Sequence, residues 1–211
     1  MREKRLAKIA AEHKTWDRCF IITDKSDTIF GRMKPGMPKE SMEKVFSPLM
    51  DNVIFFSFPN DSECNFFPFA IKQLYDYDAP EGWKKYLSLQ LKDQYTIRSK
   101  IFCFVHVVEE GKCQLYSFER LVAMGSSGKM VLFYYVAYNN ELYPIIGSGS
   151  PLVHAYVVAF RKQCEEIFAD CPALVAKIAN KEFYYEDMPD IVRQYNKCVK
   201  SKYDTAPKNA H

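Results

Sequence analysis

Thiol catalysis requires a base within hydrogen-bond reach of the sulfur, so cysteine and histidine are the first residues to place. Cys103 and His106 stand three apart in an extended run and point to opposite faces. Cys113 and His106 do better: if residues 101–108 pair with 113–118 through the Glu109–Lys112 connection, the two lie diagonally on one face, with Cα atoms roughly 7–8 Å apart. Such a dyad would serve a thiol-dependent hydrolase. The spacing places no Asp or Asn to orient the imidazole, and a histidine between Phe104 and Val108 also fits an ordinary core position.

Three further groupings have chemistry to weigh. Gly147-Ser-Gly-Ser-Pro151 feeds a helical pattern, so an anion could rest on free backbone N–H groups around Ser148 and Ser150; a connector and helix cap use the same residues. Gly125–Lys129 lacks the phosphate-loop spacing and feeds a strand. Tyr134 and Tyr138 share one face of a strand, with Tyr135 and Tyr143 elsewhere, and could offer rings to a glycan or a peptide, or line the rim of a core. Glu109-Glu110 and Glu186-Asp187 fall in turns or helix starts, and no pair of acids can be set across a cleft. No C-x-x-C occurs, so no zinc ribbon is indicated, and the sequence asks for no metal and no cofactor.

The elements that must carry these residues follow from periodicity. Ile101–Val108 is apolar on both alternating faces, the pattern of a strand covered on both sides. Glu109-Glu110-Gly111-Lys112 turns it into 113–118, with Gly111 available for a positive φ. A second pair is joined by Asn139-Asn140, and Pro144 marks an edge or a strand end. Upstream, Cys19–Thr23 and Thr28–Met33 flank a polar turn, 53–58 is a strand, and 86–97 alternates as one with a wet face. Pro68 argues against a long central strand within 65–77, and Lys39–Met50 reads as either a helix or a loop. Residues 2–13 form a thin amphipathic helix through Leu6, Ile9 and His13.

From Ser150 the period lengthens. Val153, Tyr156, Val157, Phe160, Cys164 and Ile167 mark one helix; Leu174, Val175 and Ile178 a second; Ile191, Val192, Tyr195 and Val199 a third, capped near Asp187 with Pro189 in its first turn. Lys200–His211 reads as a disordered tail. The expected fold is α+β: a basic N-terminal segment over 1–14, an antiparallel, partly curled sheet over 15–147, and three helices over 148–199 packed on it.

Composition sets the remaining bounds. A chain of 211 residues with 48% hydrophobic, 15% aromatic and 26% charged residues buries a core without staples. The net charge of +3 is uneven: residues 1–14 hold five Lys/Arg against two Glu and 193–211 five against one Asp, leaving nineteen basic and twenty-three acidic residues between. A mildly acidic body argues against a nucleic-acid surface. No apolar run reaches the ~18 residues of a membrane span, and the first fourteen residues lack the apolar centre of a secretory signal, so the chain as written reads as cytoplasmic. Seven cysteines leave at least one thiol free.

Thr23-Asp-Lys-Ser-Asp-Thr-Ile-Phe-Gly31, Phe67-Pro-Phe-Ala-Ile71, Gly111-Lys-Cys-Gln-Leu-Tyr116 and Phe168-Ala-Asp-Cys-Pro-Ala-Leu-Val-Ala-Lys-Ile178, with Tyr195-Asn196 beyond, together resemble a family of uncharacterised, mostly exported β-rich proteins from Bacteroidetes-type bacteria. Ser26 stands where that family has a turn glycine, and Ala70 where it has an acidic residue. The resemblance implies the α+β architecture and a periplasmic or exported location; it carries no activity. The function expected from the sequence is a non-catalytic binding or assembly module that uses the aromatic face of its sheet toward a protein, peptide or glycan. The alternative is the hydrolase built on Cys113 and His106.

Overall fold

The computed structural model describes residues 11–34, 54–58, 62–79, 82–92, 100–124, 127–145 and 153–205. Among them, ten strands form one antiparallel sheet: β1 (Asp17–Thr23), β2 (Thr28–Met33), β3 (Ile54–Ser57), β4 (Glu63–Phe66), β5 (Ile71–Asp76), β6 (Lys84–Lys92), β7 (Lys100–Glu109), β8 (Gln114–Met124), β9 (Ser127–Tyr138) and β10 (Glu141–Ile145). Their order is β10-β9-β8-β7-β6-β5-β1-β2-β3-β4, an open sheet with β10 and β4 at its edges. Three helices follow, α1 (Val153–Ile167), α2 (Pro172–Ala179) and α3 (Met188–Thr205), so the fold is α+β. The chain divides into two compact units, one of residues 1–106 with 119–130 and one of 107–118 with 131–211.

In unit 1 the polar turn after β1 sets the first hairpin. Thr23 Oγ1 accepts the Asp27 N–H at 3.1 Å, the Thr23 N–H donates to the Asp27 carbonyl at 2.9 Å, and Ser26 takes the left-handed φ of 70°. Alternation along β1 then sends Cys19, Ile21 and Thr23 inward. Cys19 and Ile21 join Met33, Phe56, Ile71, Leu74 and Phe104 in a core, where each fully buried large apolar side chain is stabilised by about 1.5–3 kcal/mol. Gly31 is required by close approach: a Cβ there would collide with the Phe56 ring and the Ser57 carbonyl. The N-terminal turn is pinned by a buried hydrogen bond of 2.9 Å between His13 Nδ1 and Ser57 Oγ.

In unit 2 the helices and the turn after α1 supply Phe160, Cys164, Ile167, Phe168, Leu174, Ile178, Ile191, Val192 and Tyr195 to a core completed by Leu115, Tyr134, Val136 and Ile145 of the strands. A disulfide joins Cys171, which precedes α2, to Cys198 on α3, across a sequence separation of 27. Closing a loop of that length restricts the unfolded chain by about 3–4 kcal/mol in the chain-entropy account.

Pro68 does break the 65–77 run, as expected, by opening a one-turn 3-10 helix (Pro68–Ala70) between β4 and β5; the short β5 that follows is nevertheless central, between β1 and β6. Several sequence expectations need correction. Gly111 is not among the residues with positive φ. Its missing Cβ instead makes room for Asn196, whose Nδ2 would lie 2.5 Å from an added carbon. Phe102 is exposed, so β7 is not covered on both sides along its whole length. α3 runs on to Thr205, through residues expected to be a tail. The Asn139-Asn140 turn does take left-handed φ at both positions, 51° and 63°, and Pro144 does sit on an edge strand. The segment Lys39–Met50, residues 2–10 and the loop over 147–151 lie outside the described residues.

Gly31→Ala is predicted to destabilise unit 1 by about 2 kcal/mol in a denaturant titration, because the added methyl overpacks a closed contact. An unchanged midpoint would show that Phe56 does not lie against that glycine.

Candidate functional site

The outward side chains of β1, β2, β5 and β6 line up by register. Phe20 is directly opposite Phe30 on one side and Tyr75 on the other, and Tyr75 is opposite Lys85. The result is a transverse row, Phe30–Phe20–Tyr75–Lys85, across four strands. Phe20 and Tyr75 stack with centroids 4.3 Å apart and planes 11° from parallel. Trp83, just before β6, continues the stack at 6.3 Å and 19° from Tyr75. Phe30 and Tyr77 each lie 5.7 Å from Phe20 in tilted contact. Such pairs contribute roughly 0.5–1.5 kcal/mol each beyond their area burial. Yet the row stays open to solvent: Phe30 is 64% exposed, Trp83 62% and Tyr77 49%.

Charge is distributed unequally over the two faces. The outward charged positions of these strands include Arg18, Arg32 and Lys85. Lys85 Nζ lies 5.9 Å from the centre of the Tyr75 ring, within cation–π reach. Arg32 Nη1 donates to the Trp16 carbonyl at 2.9 Å. Arg18 forks onto Asp78, with Nη2 to Oδ1 at 2.7 Å and Nε to Oδ2 at 2.9 Å. The Arg18 side chain and its backbone N–H hold the Asp78 carboxyl down at about 2. On the inward face Asp76 is buried opposite Lys84, and that burial pushes its carboxyl up. Asp17 is raised too, by burial and by the Asp78 charge.

The residues singled out from sequence fare differently. Cys113 is wholly buried, and its backbone is clamped by the Asn196 side-chain amide: the Cys113 N–H donates to Oδ1 and Nδ2 donates to the Cys113 carbonyl, both at 2.9 Å. Burial, helped by the Asp170 charge, pushes its thiol up to about 12, which opposes formation of the thiolate a hydrolase needs. His106 packs its ring 5.5 Å from that of Tyr86. Tyr134 belongs to the core of unit 2: its ring is 5.2 Å from Tyr185, and its N–H donates to Tyr185 Oη at 3.0 Å. Tyr138 is half-buried and meets Tyr195 edge-on at 5.7 Å. Both phenols reach one carboxylate, Asp170 Oδ2, at 3.4 Å from Tyr138 and 3.0 Å from Tyr195. Helix packing, which strand alternation cannot reveal, makes Tyr134 a core residue and sets Tyr138 at the rim of that core. Ser148 and Ser150 lie outside the described residues.

One other arrangement has catalytic residue types. The Ser57–His13 pair is sealed, each residue being 1% exposed, so no substrate reaches it. Among the described residues no group of three or more His, Cys, Asp or Glu is placed to hold a metal ion. The exposed aromatic row was missed from sequence because a four-residue turn over 24–27 would set Phe20 opposite Gly31; the observed pairing with Phe30 follows from the tighter connection in which Thr23 meets Asp27.

Comparison with protein-family models, curated proteins and solved structures finds no match to this chain.

Two outcomes are predicted. Iodoacetamide at neutral pH will leave Cys19, Cys103, Cys113 and Cys164, all buried, essentially unmodified in the native protein, with half-buried Cys64 reacting first; rapid native-state modification of Cys113 would restore the thiol reading. Asp76→Asn removes a carboxyl whose ionised form burial disfavours. Since the folded carboxyl titrates above its ordinary 3.8, the wild type gives up stability as the pH climbs from that value through the raised one. The variant's stability relative to wild type, followed by thermal unfolding at pH 4 and pH 7, should therefore be greater at pH 7. The opposite trend would mean that pairing with Lys84 outweighs burial.

Proposed function

We propose that the protein is a non-catalytic binding module and that its contact surface is the aromatic row Phe30–Phe20–Tyr75 with Trp83 and Tyr77. The supporting observation is the combination of stacking and exposure. Stacked side chains have given up much of their rotamer freedom before any partner arrives, so little further ordering is required on binding. Their exposed apolar area is the kind that soluble surfaces keep for contacts, and Trp, Tyr and Arg are the side chains most often found at the energetic centre of interfaces. The thiol-hydrolase alternative gains no comparable support, since Cys113 is buried and its thiol is held protonated.

The site of action proposed is an oxidising compartment. The Cys171–Cys198 disulfide supports this, because such bridges persist where thiols are not continually reduced. It agrees with the exported character that the family resemblance implies. Among the described residues no helix is long and apolar enough to cross a membrane.

The test uses a Phe30→Ser, Trp83→Ser double variant. Both side chains are largely exposed, but the variant loses two ring contacts and should be less stable by about 1–3 kcal/mol, so it is compared with wild type at a temperature where both are folded. Losing two central aromatic contacts should weaken binding by more than tenfold. Immobilised wild-type protein is predicted to retain a component of its own organism's extract that the folded variant does not. Recovery of the same components by both proteins, or of nothing above bare resin, contradicts the proposal.

A further inference from the structure

Resting on that reading, we infer that the aromatic row receives an acidic, apolar peptide segment of a partner protein. Ring orientation is the first ground. Parallel rings with centroids 4.3 Å apart overlap face to face, so Phe20 and Tyr75 spend their facing surfaces on each other. Trp83 and Lys85 both approach Tyr75 as well. At the centre of the row Phe20 and Tyr75 therefore turn ring edges outward, while Phe30 and Tyr77 lie tilted against Phe20. A base of single-stranded nucleic acid needs an open ring face to stack on, and the closed pair at the centre does not supply an unbroken succession of them. Ring edges carry the positive lobe of the aromatic quadrupole, so they favour carboxylate and carbonyl oxygens while their carbon skeleton buries apolar side chains.

Charge is the second ground. Arg18, Arg32 and Lys85 stand at outward strand positions around the ridge, and the outward positions of β1, β2, β5 and β6 among the described residues include no Asp or Glu. Asp78, which reaches this rim, is engaged by Arg18. Arg32 is anchored on the Trp16 carbonyl and also acts on the Asp78 carboxylate, so this one acid is shared by two guanidinium groups. The other acids of these strands, Asp17 and Asp76, take the inward alternate positions. A ridge with apolar edges and cations on its flanks is complementary to a segment that alternates carboxylates with apolar side chains.

Trp83 makes this testable without a label, because the chain's other tryptophan, Trp16, is buried and only 7% exposed. The probes are a short synthetic peptide of alternating Glu-Phe and Glu-Leu pairs, the same peptide with Lys for every Glu, and single-stranded oligothymidylate. The acidic peptide is expected to shift Trp83 emission to shorter wavelength in a saturable way, to bind several-fold more weakly in high salt, and to give no shift with Trp83→Phe. Lys85→Glu, checked for an unchanged melting temperature, should weaken the acidic peptide about tenfold and strengthen the basic one. If the basic peptide or oligothymidylate binds wild type as tightly and the signal is lost with Phe30→Ser, the acidic-peptide assignment falls while the ridge remains a binding surface. If no probe moves Trp83 emission, the assignment also falls, and the ridge reading is then judged by the extract comparison alone.

Discussion

Phe20 stands directly opposite Phe30 on one side and Tyr75 on the other, and this pairing decides which side chains of unit 1 reach solvent. A slip of one residue would turn Cys19 and Ile21 outward and drive Phe20 into the core. The register is therefore held from both faces. Inside, Ile21 and Leu74 are fully buried opposite each other. Outside, the stacked rings prefer the same alignment. Beyond Ile22 the pairing of β1 with β5 shifts, so that Thr23 meets Ile71. That irregularity lets Ile71 and Leu74, three apart, both be buried.

The charges follow the same division. Arg18 and Asp78 form an exposed pair, the kind that contributes little to stability in water, but its fork geometry and the added backbone bond from the Arg18 N–H at 2.8 Å fix the turn after β5 beside the ridge. Unit 2 is organised differently, around side chains that stand in for backbone. Asn196 presents an acceptor and a donor to Cys113 just as a neighbouring strand would, immediately before β8 begins at Gln114. Asp170 collects two tyrosine hydroxyls, and burial raises the Tyr195 phenol so far that it remains a donor. Gly111, Cys113, Asp170 and Tyr195-Asn196 are thus joined by close approach or hydrogen bonding in pairs within one unit.

Much of the fold was legible because period is a local property. The change from strand to helix spacing near Ser150, the left-handed turn at Asn139-Asn140 and the edge position of Pro144 all depend on a few neighbouring residues. The site was harder, since alternation shows that a strand has two faces but not which one another layer will cover. Tyr134 and Phe20 occupy similar strand patterns; only the helices of unit 2, distant in sequence, make the first a core residue. Gly111 shows the same limit: a glycine in a turn reads as a conformational need, whereas here it yields space to Asn196 from α3. Trp83 precedes its strand and had no periodic partner to mark it. The disulfide was equally beyond reach, because pairing two of seven cysteines requires knowing which helix ends meet.

The account rests on one alignment, and aromatic-resolved nuclear Overhauser spectroscopy measures it directly. Ring protons of Phe20 should show cross-peaks to ring protons of both Phe30 and Tyr75, with Ile21 methyls touching Leu74. Contacts from the Ile21 methyls to the Tyr75 ring, with none between Phe20 and Tyr75, would contradict it: the strands would be paired one residue out, and no exposed row would exist.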